Sequence, residues 1–84
     1  MYSDTGTITG TDARMGMCEG GTYIRINGHP NPNSQEGLYD IGSLPSTFKI
    51  SPLMKYPINV TLDYTVAPEC YGNYINISRI AVIN

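Results

Sequence analysis

The strongest alternation of apolar and polar positions along the chain runs from Tyr56 to Val66. Ile58, Val60, Leu62, Tyr64 and Val66 fall on one parity, with Asn59, Thr61, Asp63 and Thr65 on the other. A period of two over this length predicts a strand with one buried and one solvated face. Pro57 fits at its start, where a strand can spare a ladder N–H. A second element spans Tyr74 to Ile83, but its phase slips. Ile75 and Ile77 share one parity, whereas Ile80 and Val82 share the other. A β-bulge around Ser78-Arg79 would restore one core face and bend the strand as a barrel requires. The competing reading is a terminal strand that is apolar on both faces.

Nearer the N-terminus, Thr5 to Asp12 alternates Thr7, Thr9 and Thr11 with Gly6, Ile8 and Gly10. Two glycines on one face of a strand point to close backbone approach or sharp coiling. Gly20-Gly21 then punctuates the chain before Thr22–Asn27, a strand with Ile24 and Ile26 inward and Tyr23 outward. Asn27-Gly28 is a turn signal. His29 to Gly37 offers nothing to bury and reads as an exposed loop. Leu38–Ile41 is expected to form a short strand or turn, and Thr47–Ile50 another.

No segment carries apolar residues at i, i+3 and i+4 over ten positions, so no helix longer than about two turns is expected. The fold class is therefore all-β, with five or six short antiparallel strands. Closing them into a small barrel hides one face and removes the exposed edges, which favours a barrel over a sandwich.

Composition narrows the picture further. At 84 residues the chain holds one domain, 1–84, with a thin core. Seven acidic and five basic side chains give a net charge of -2 without runs, which argues against nucleic acid or an anionic membrane surface. No apolar run approaches the roughly 20 residues of a membrane span. Met1-Tyr2-Ser3-Asp4 has neither the charged start nor the apolar stretch of a signal peptide.

With the elements in order, several segments acquire a collective resemblance. They are Gly6-Thr7-Ile8-Thr9-Gly10-Thr11-Asp12-Ala13-Arg14, then Cys18 to Gly28, Tyr56 to Tyr64, Cys70, and Tyr74 to Ile80. Together they are similar to small OB-like β-barrel domains of exported bacterial lipoproteins of unknown function. The resemblance implies an exported domain at the periplasm or cell surface, with any lipid anchor outside this chain. Members of that group carry extra cysteines before the Gly-Gly pair. Here Gly16 and Glu19 stand at those positions, which weakens any metal-cluster reading carried over from the group.

Cys18 and Cys70 are the only cysteines. An even count in a small chain with a thin core suits a disulfide formed in an oxidising compartment. Two competing readings stand beside it. Both could be buried free thiols behaving as small hydrophobes, or soft ligands for copper or zinc together with Met15, Met17 and His29. The metal reading lacks the CxxC spacing that usually announces such sites, and His29 beside Pro30 reads as a solvent-facing loop residue.

The chain has no GxSxG elbow, HExxH, phosphate loop or GxGxxG, and no motif calls for a cofactor. Asp63 reads as a solubilising side chain, and Asp12, Arg14 and Arg79 as a structural ion-pair network. Asn59-Val60-Thr61 and Asn76-Ile77-Ser78 match a glycosylation pattern but read as wet-face strand polars. The expectation is a non-enzymatic envelope domain, an accessory or protein-interaction module stapled by Cys18–Cys70. The alternative is a carbohydrate-binding module using exposed Tyr23, Tyr39, Tyr71 and Tyr74. The expected partner is accordingly a protein or glycan of the cell envelope.

Overall fold

A computed structural model describes residues 2–18, 20–51 and 54–83. Five strands, β1 (Asp4–Asp12), β2 (Gly21–Ile26), β3 (Tyr39–Ser43), β4 (Ile58–Val66) and β5 (Tyr74–Val82), follow in chain order. They close into a barrel in the order β1-β2-β3-β5-β4. This is a small five-stranded barrel of the OB type, and its only helical element among the described residues is a 3-10 turn at Cys70–Gly72. Glu19, one of the positions compared with the lipoprotein group, lies outside the described residues.

One pairing departs from the antiparallel expectation: β3 and β5 run parallel. Parity requires it. A closed ring with an odd number of strands cannot alternate direction all the way round, so at least one neighbouring pair must be parallel. Here the β4–β5, β1–β4, β1–β2 and β2–β3 pairs are antiparallel, and β3–β5 carries the mismatch.

The alternation of β4 is realised from Ile58 to Tyr64, whereas Val66, expected on the buried face, is 47% exposed where the strand leaves the barrel. Val60 and Leu62 are fully buried, and they meet Ile8, Ile24, Ile26, Ile75 and Ile77 in a single core. The phase slip in β5 is a bulge: Asp63 opposes Arg79 and Tyr64 opposes Ile77, leaving Ser78 as the extra residue. Beyond it Ile80 stands opposite Leu62 and packs against the core. β1 carries a second irregularity, with Ile8 opposite Ile24 but Gly10 opposite Tyr23, so Thr9 is extra there. Gly6 is the close approach that the sequence suggested, since a Cβ at this position would sit 2.7 Å from the Arg25 carbonyl oxygen.

Two loop readings are sharpened. Of the two alternatives for Thr47–Ile50, a short strand or a turn, the structure shows a turn and no strand. The backbone turns there, with the Phe48 N–H donating to the Pro45 carbonyl at 3.0 Å, while the Phe48 ring still packs on the core. A closed barrel has no free edge to receive a sixth strand. The segment from His29 to Gly37 is likewise not simply an exposed loop. Its backbone is folded on itself by Asn31 N–H to Gly37 O and Gly37 N–H to Ser34 O bonds, and Asn31 is buried.

Candidate functional site: three loops laced together

Three loops converge over the starts of β3 and β5: residues 13–18 and 20 between β1 and β2, 27–38 between β2 and β3, and 67–73 between β4 and β5. None has enough apolar residues to build a core of its own. Their order comes from cross-links instead.

The first link is covalent. Cys18 and Cys70 form a disulfide with Cα atoms 5.1 Å apart, joining the β1–β2 loop to the β4–β5 loop. With each sulfur bonded to the other, neither is a thiolate donor for a metal. The Tyr74 hydroxyl adds to this link by donating to the Gly20 carbonyl at 3.2 Å. The β2–β3 loop is tied in through asparagines. Asn33 Nδ2 donates to the Tyr71 carbonyl at 2.6 Å, and Asn31 Nδ2 donates to the Leu38 carbonyl and to Asn73 Oδ1. Asn31 Oδ1 in turn accepts the Asn33 N–H. The burial of Asn31 thus carries its hydrogen bonds with it, as buried amides require.

The third link is ionic. Arg14 grips Asp12 with Nε on Oδ1 at 2.9 Å and Nη2 on Oδ2 at 2.8 Å, a bidentate pair. The backbone N–H groups of Arg14 and Gly20 also donate to this carboxylate. The Arg14 bond, countered by burial and reinforced by those N–H groups, holds the Asp12 carboxyl well below the usual carboxylate range. The same guanidinium lies 3.6 Å from Asp40 Oδ2 and 5.6 Å from the centre of the Tyr23 ring. Burial, and then the nearby Asp12 charge, raise the Tyr23 hydroxyl above its ordinary value.

The network expected from Asp12, Arg14 and Arg79 is therefore corrected: Asp40, not Arg79, completes it. Arg79 lies elsewhere, hydrogen-bonded to Asp63 Oδ2 and stacked 4.6 Å over Tyr2. Asp63 also accepts from the Ser3 hydroxyl and N–H. Those Ser3 bonds, followed by Arg79, pull its carboxyl down to about 2. Asp63 is thus more than a solubilising charge, because it pins the N-terminal residues to the barrel wall. His29 is an exposed loop residue 3.5 Å from Asp4.

The tyrosines split into different environments. Tyr39 is in the core at 6% exposure and is corrected as a candidate ligand contact. β3 enters the barrel just after the tied loop, so its first side chain points inward. Tyr23 is half-buried beneath Arg14, Tyr74 is half-buried with its hydroxyl engaged, and Tyr71 stands out at 85% exposure. They do not make one flat aromatic platform.

Two hollows flank the laced loops. One is a polar cleft of about 280 Å³ between the β2–β3 loop and the Arg14–Asp40 pair, with Tyr23, Leu38 and Asn73 in its wall. The other is a shallower groove of about 340 Å³ beside the disulfide, lined by Met17, Ala67, Cys70 and Tyr74 among others. Around the disulfide, Met15, Met17 and Tyr71 project into solvent at 97%, 100% and 85% exposure. Tyr71 and Cys70 adopt left-handed backbone conformations at φ 58° and 57°, which non-glycine residues rarely hold. The sequence marks none of Asn31, Asn33, Asp40 or Asn73 as part of a site. The nearest signal is the density of asparagines around His29.

Comparison of the chain with protein-family models, with curated proteins and with solved structures finds no match.

Proposed function

We propose that this chain is a non-enzymatic binding domain exported to the cell envelope, which docks a protein partner on the loops joined by the disulfide. One observation carries the reading. The most exposed large apolar side chains among the described residues, Met15, Met17 and Tyr71, lie in the two loops that the disulfide joins. Exposed methionines adapt to irregular apolar pockets, and an exposed tyrosine is a common anchor at protein interfaces. Cross-linking the loops beforehand lowers the ordering cost of binding. The disulfide supports export, because such bridges persist in oxidising compartments. Among the described residues, no helix is long and apolar enough to cross a membrane. The non-enzymatic part of the reading draws on the charges. Asp12, Arg14 and Asp40 are engaged with one another, and His29 is paired with Asp4 away from them.

The test is photo-crosslinking in intact cells, with a photoreactive residue placed at Met17 or Tyr71 and, as a control, at Thr65 on the exposed wall. The expected result is one discrete product, containing a different protein, from the loop positions and not from Thr65, which disappears when Met15 is changed to Asp. Equal labelling at all three positions, or a product made of two copies of this chain, would overturn the reading. Alkylation of the unreduced exported protein checks the compartment: two labelled thiols would refute export into an oxidising space.

A further inference from the structure

The polar cleft beside Arg14 and Asp40 is a separate surface, and docking at the disulfide does not use it. Its wall draws on every part of the laced region: Arg14 from the β1–β2 loop, Tyr23 from β2, Asn33 to Glu36 from the β2–β3 loop, Asp40 from β3 and Asn73 from the β4–β5 loop. Cross-links described above fix each of these segments, so the cleft is formed before any ligand arrives. At about 280 Å³ it lies just below the range that encloses drug-sized molecules, and it fits a compact ligand.

The wall chemistry selects the class of ligand. An anion is disfavoured. Arg14 is the single cation of the lining, it already shares its charge between Asp12 and Asp40, and Glu36 adds another carboxylate. An apolar ligand would strand the amides of Asn33, Gln35 and Asn73 without partners, which is costly. A metal ion is disfavoured too, because no group of three or more His, Cys, Asp or Glu converges among the described residues. What remains is a compact, uncharged molecule that both donates and accepts hydrogen bonds. Carboxylates accept from it, amides do both, and the Tyr23 ring offers an apolar face. Residues lining the cleft have hydrogen-bonding capacity to spare: Asn33 Oδ1, Asn73 Nδ2 and the side chains of Gln35 and Glu36 enter no hydrogen bond among the described residues.

From this wall we infer that the cleft between the β2–β3 loop and the Arg14–Asp40 pair binds one neutral sugar ring, whose hydroxyls bridge the carboxylates of Asp40 and Glu36 and the amides of Asn33, Gln35 and Asn73. The domain would then hold a glycan through the cleft while the apolar loops engage a protein.

Amide chemical-shift titration tests this on the oxidised protein, with glucose, galactose, mannose and N-acetylglucosamine as probes and glucuronate as the charged control. At least one neutral sugar should shift the amides of Arg14, Tyr23, Asn33 to Glu36 and Asn73 in a saturable way, with glucuronate at least tenfold weaker. Gln35 and Glu36 are exposed and make no side-chain bonds among the described residues, so Gln35→Ala/Glu36→Ala should leave the spectrum otherwise intact. It should also weaken binding at least tenfold. No saturable shift with any neutral sugar would overturn the inference, as would equal binding of glucuronate or full retention of affinity in the double variant. Shifts confined to Met15, Met17 and Tyr71 would overturn it too, while leaving the protein-docking reading standing. A normal cleft titration in a protein that gives no crosslink would do the reverse.

Discussion

Breaking the Cys18–Cys70 bridge is the perturbation whose size follows most directly from the chain. The cysteines are 52 residues apart. In the loop-entropy picture, cross-linking over that separation removes about 14 cal/mol/K from the unfolded chain, which is about 4 kcal/mol at room temperature. A domain of 84 residues has a total stability on the order of 4–13 kcal/mol. Reduction therefore removes between a third of the stability and nearly all of it. Equilibrium urea unfolding of the oxidised protein, the reduced protein and the Cys18→Ser/Cys70→Ser variant measures this. Reduced and double-serine forms should agree within about 1 kcal/mol, each losing about 3–4 kcal/mol, and their dependence on urea should steepen because the unfolded chain opens further. A loss below about 1 kcal/mol would refute the reasoning. It would mean that hydrogen bonds such as Asn33 to Tyr71 O hold the loops without the bridge, or that the reduced unfolded chain stays as compact as the oxidised one.

Other perturbations test other parts of the fold. Gly6→Ala should destabilise by about 1–3 kcal/mol, because its Cβ meets a backbone carbonyl that cannot swing aside; a melting temperature equal to that of the wild type would refute the close approach. Tyr71→Gly should raise stability by up to about 1 kcal/mol in urea. It relieves a left-handed conformation costing about 1–2 kcal/mol and returns about 0.5–1 in unfolded-chain entropy, with little packing lost. A clear destabilisation would show that the ring is packed rather than projecting. Stability should also fall in acid. The Asp63 carboxyl is held at about 2 against an ordinary 3.8, so its contribution is complete above about pH 4 and is lost as the pH drops towards 2. Asp63→Asn should flatten that part of the profile, and an unchanged acid limb would place the titration elsewhere.

The barrel was legible in the sequence wherever one strand face is buried and the other wet. β4 shows this, and so does β5, where the phase error between Ile77 and Ile80 located the Ser78 bulge from residue types alone. Legibility stopped where order comes from distant partners. Asn31 reads as a loop polar because its neighbours are Pro and Asn, yet it is buried through bonds to Leu38 and to Asn73, which lies 42 residues away. Tyr39 and Asp40 are both buried, so β3 shows no alternation to read. Phe48 and Ile50 alternate like a strand, but Phe48 packs from a turn, and no local pattern reports that every barrel edge is already taken. The site suffers most from this. The sequence points to Asp12 and Arg14 as a pair but gives Arg79 as the third member of their network, whereas the structure supplies Asp40.

The closure of the barrel also has a kinetic consequence. β1 is sealed along one side by β4, with Asp4 opposite Leu62, and β3 is sealed by β5, with Asp40 opposite Tyr74. Two of the five ladders that make the ring, β1–β4 and β3–β5, join strands that are not consecutive in the chain. Such topologies search slowly, in milliseconds to seconds rather than microseconds. A nascent chain that ends before β5 holds the strands of the β1–β2, β2–β3 and β1–β4 ladders but lacks the one that joins β3 to β4. Closure of the ring therefore waits on β5, which also brings Ile75 and Ile77 to the core.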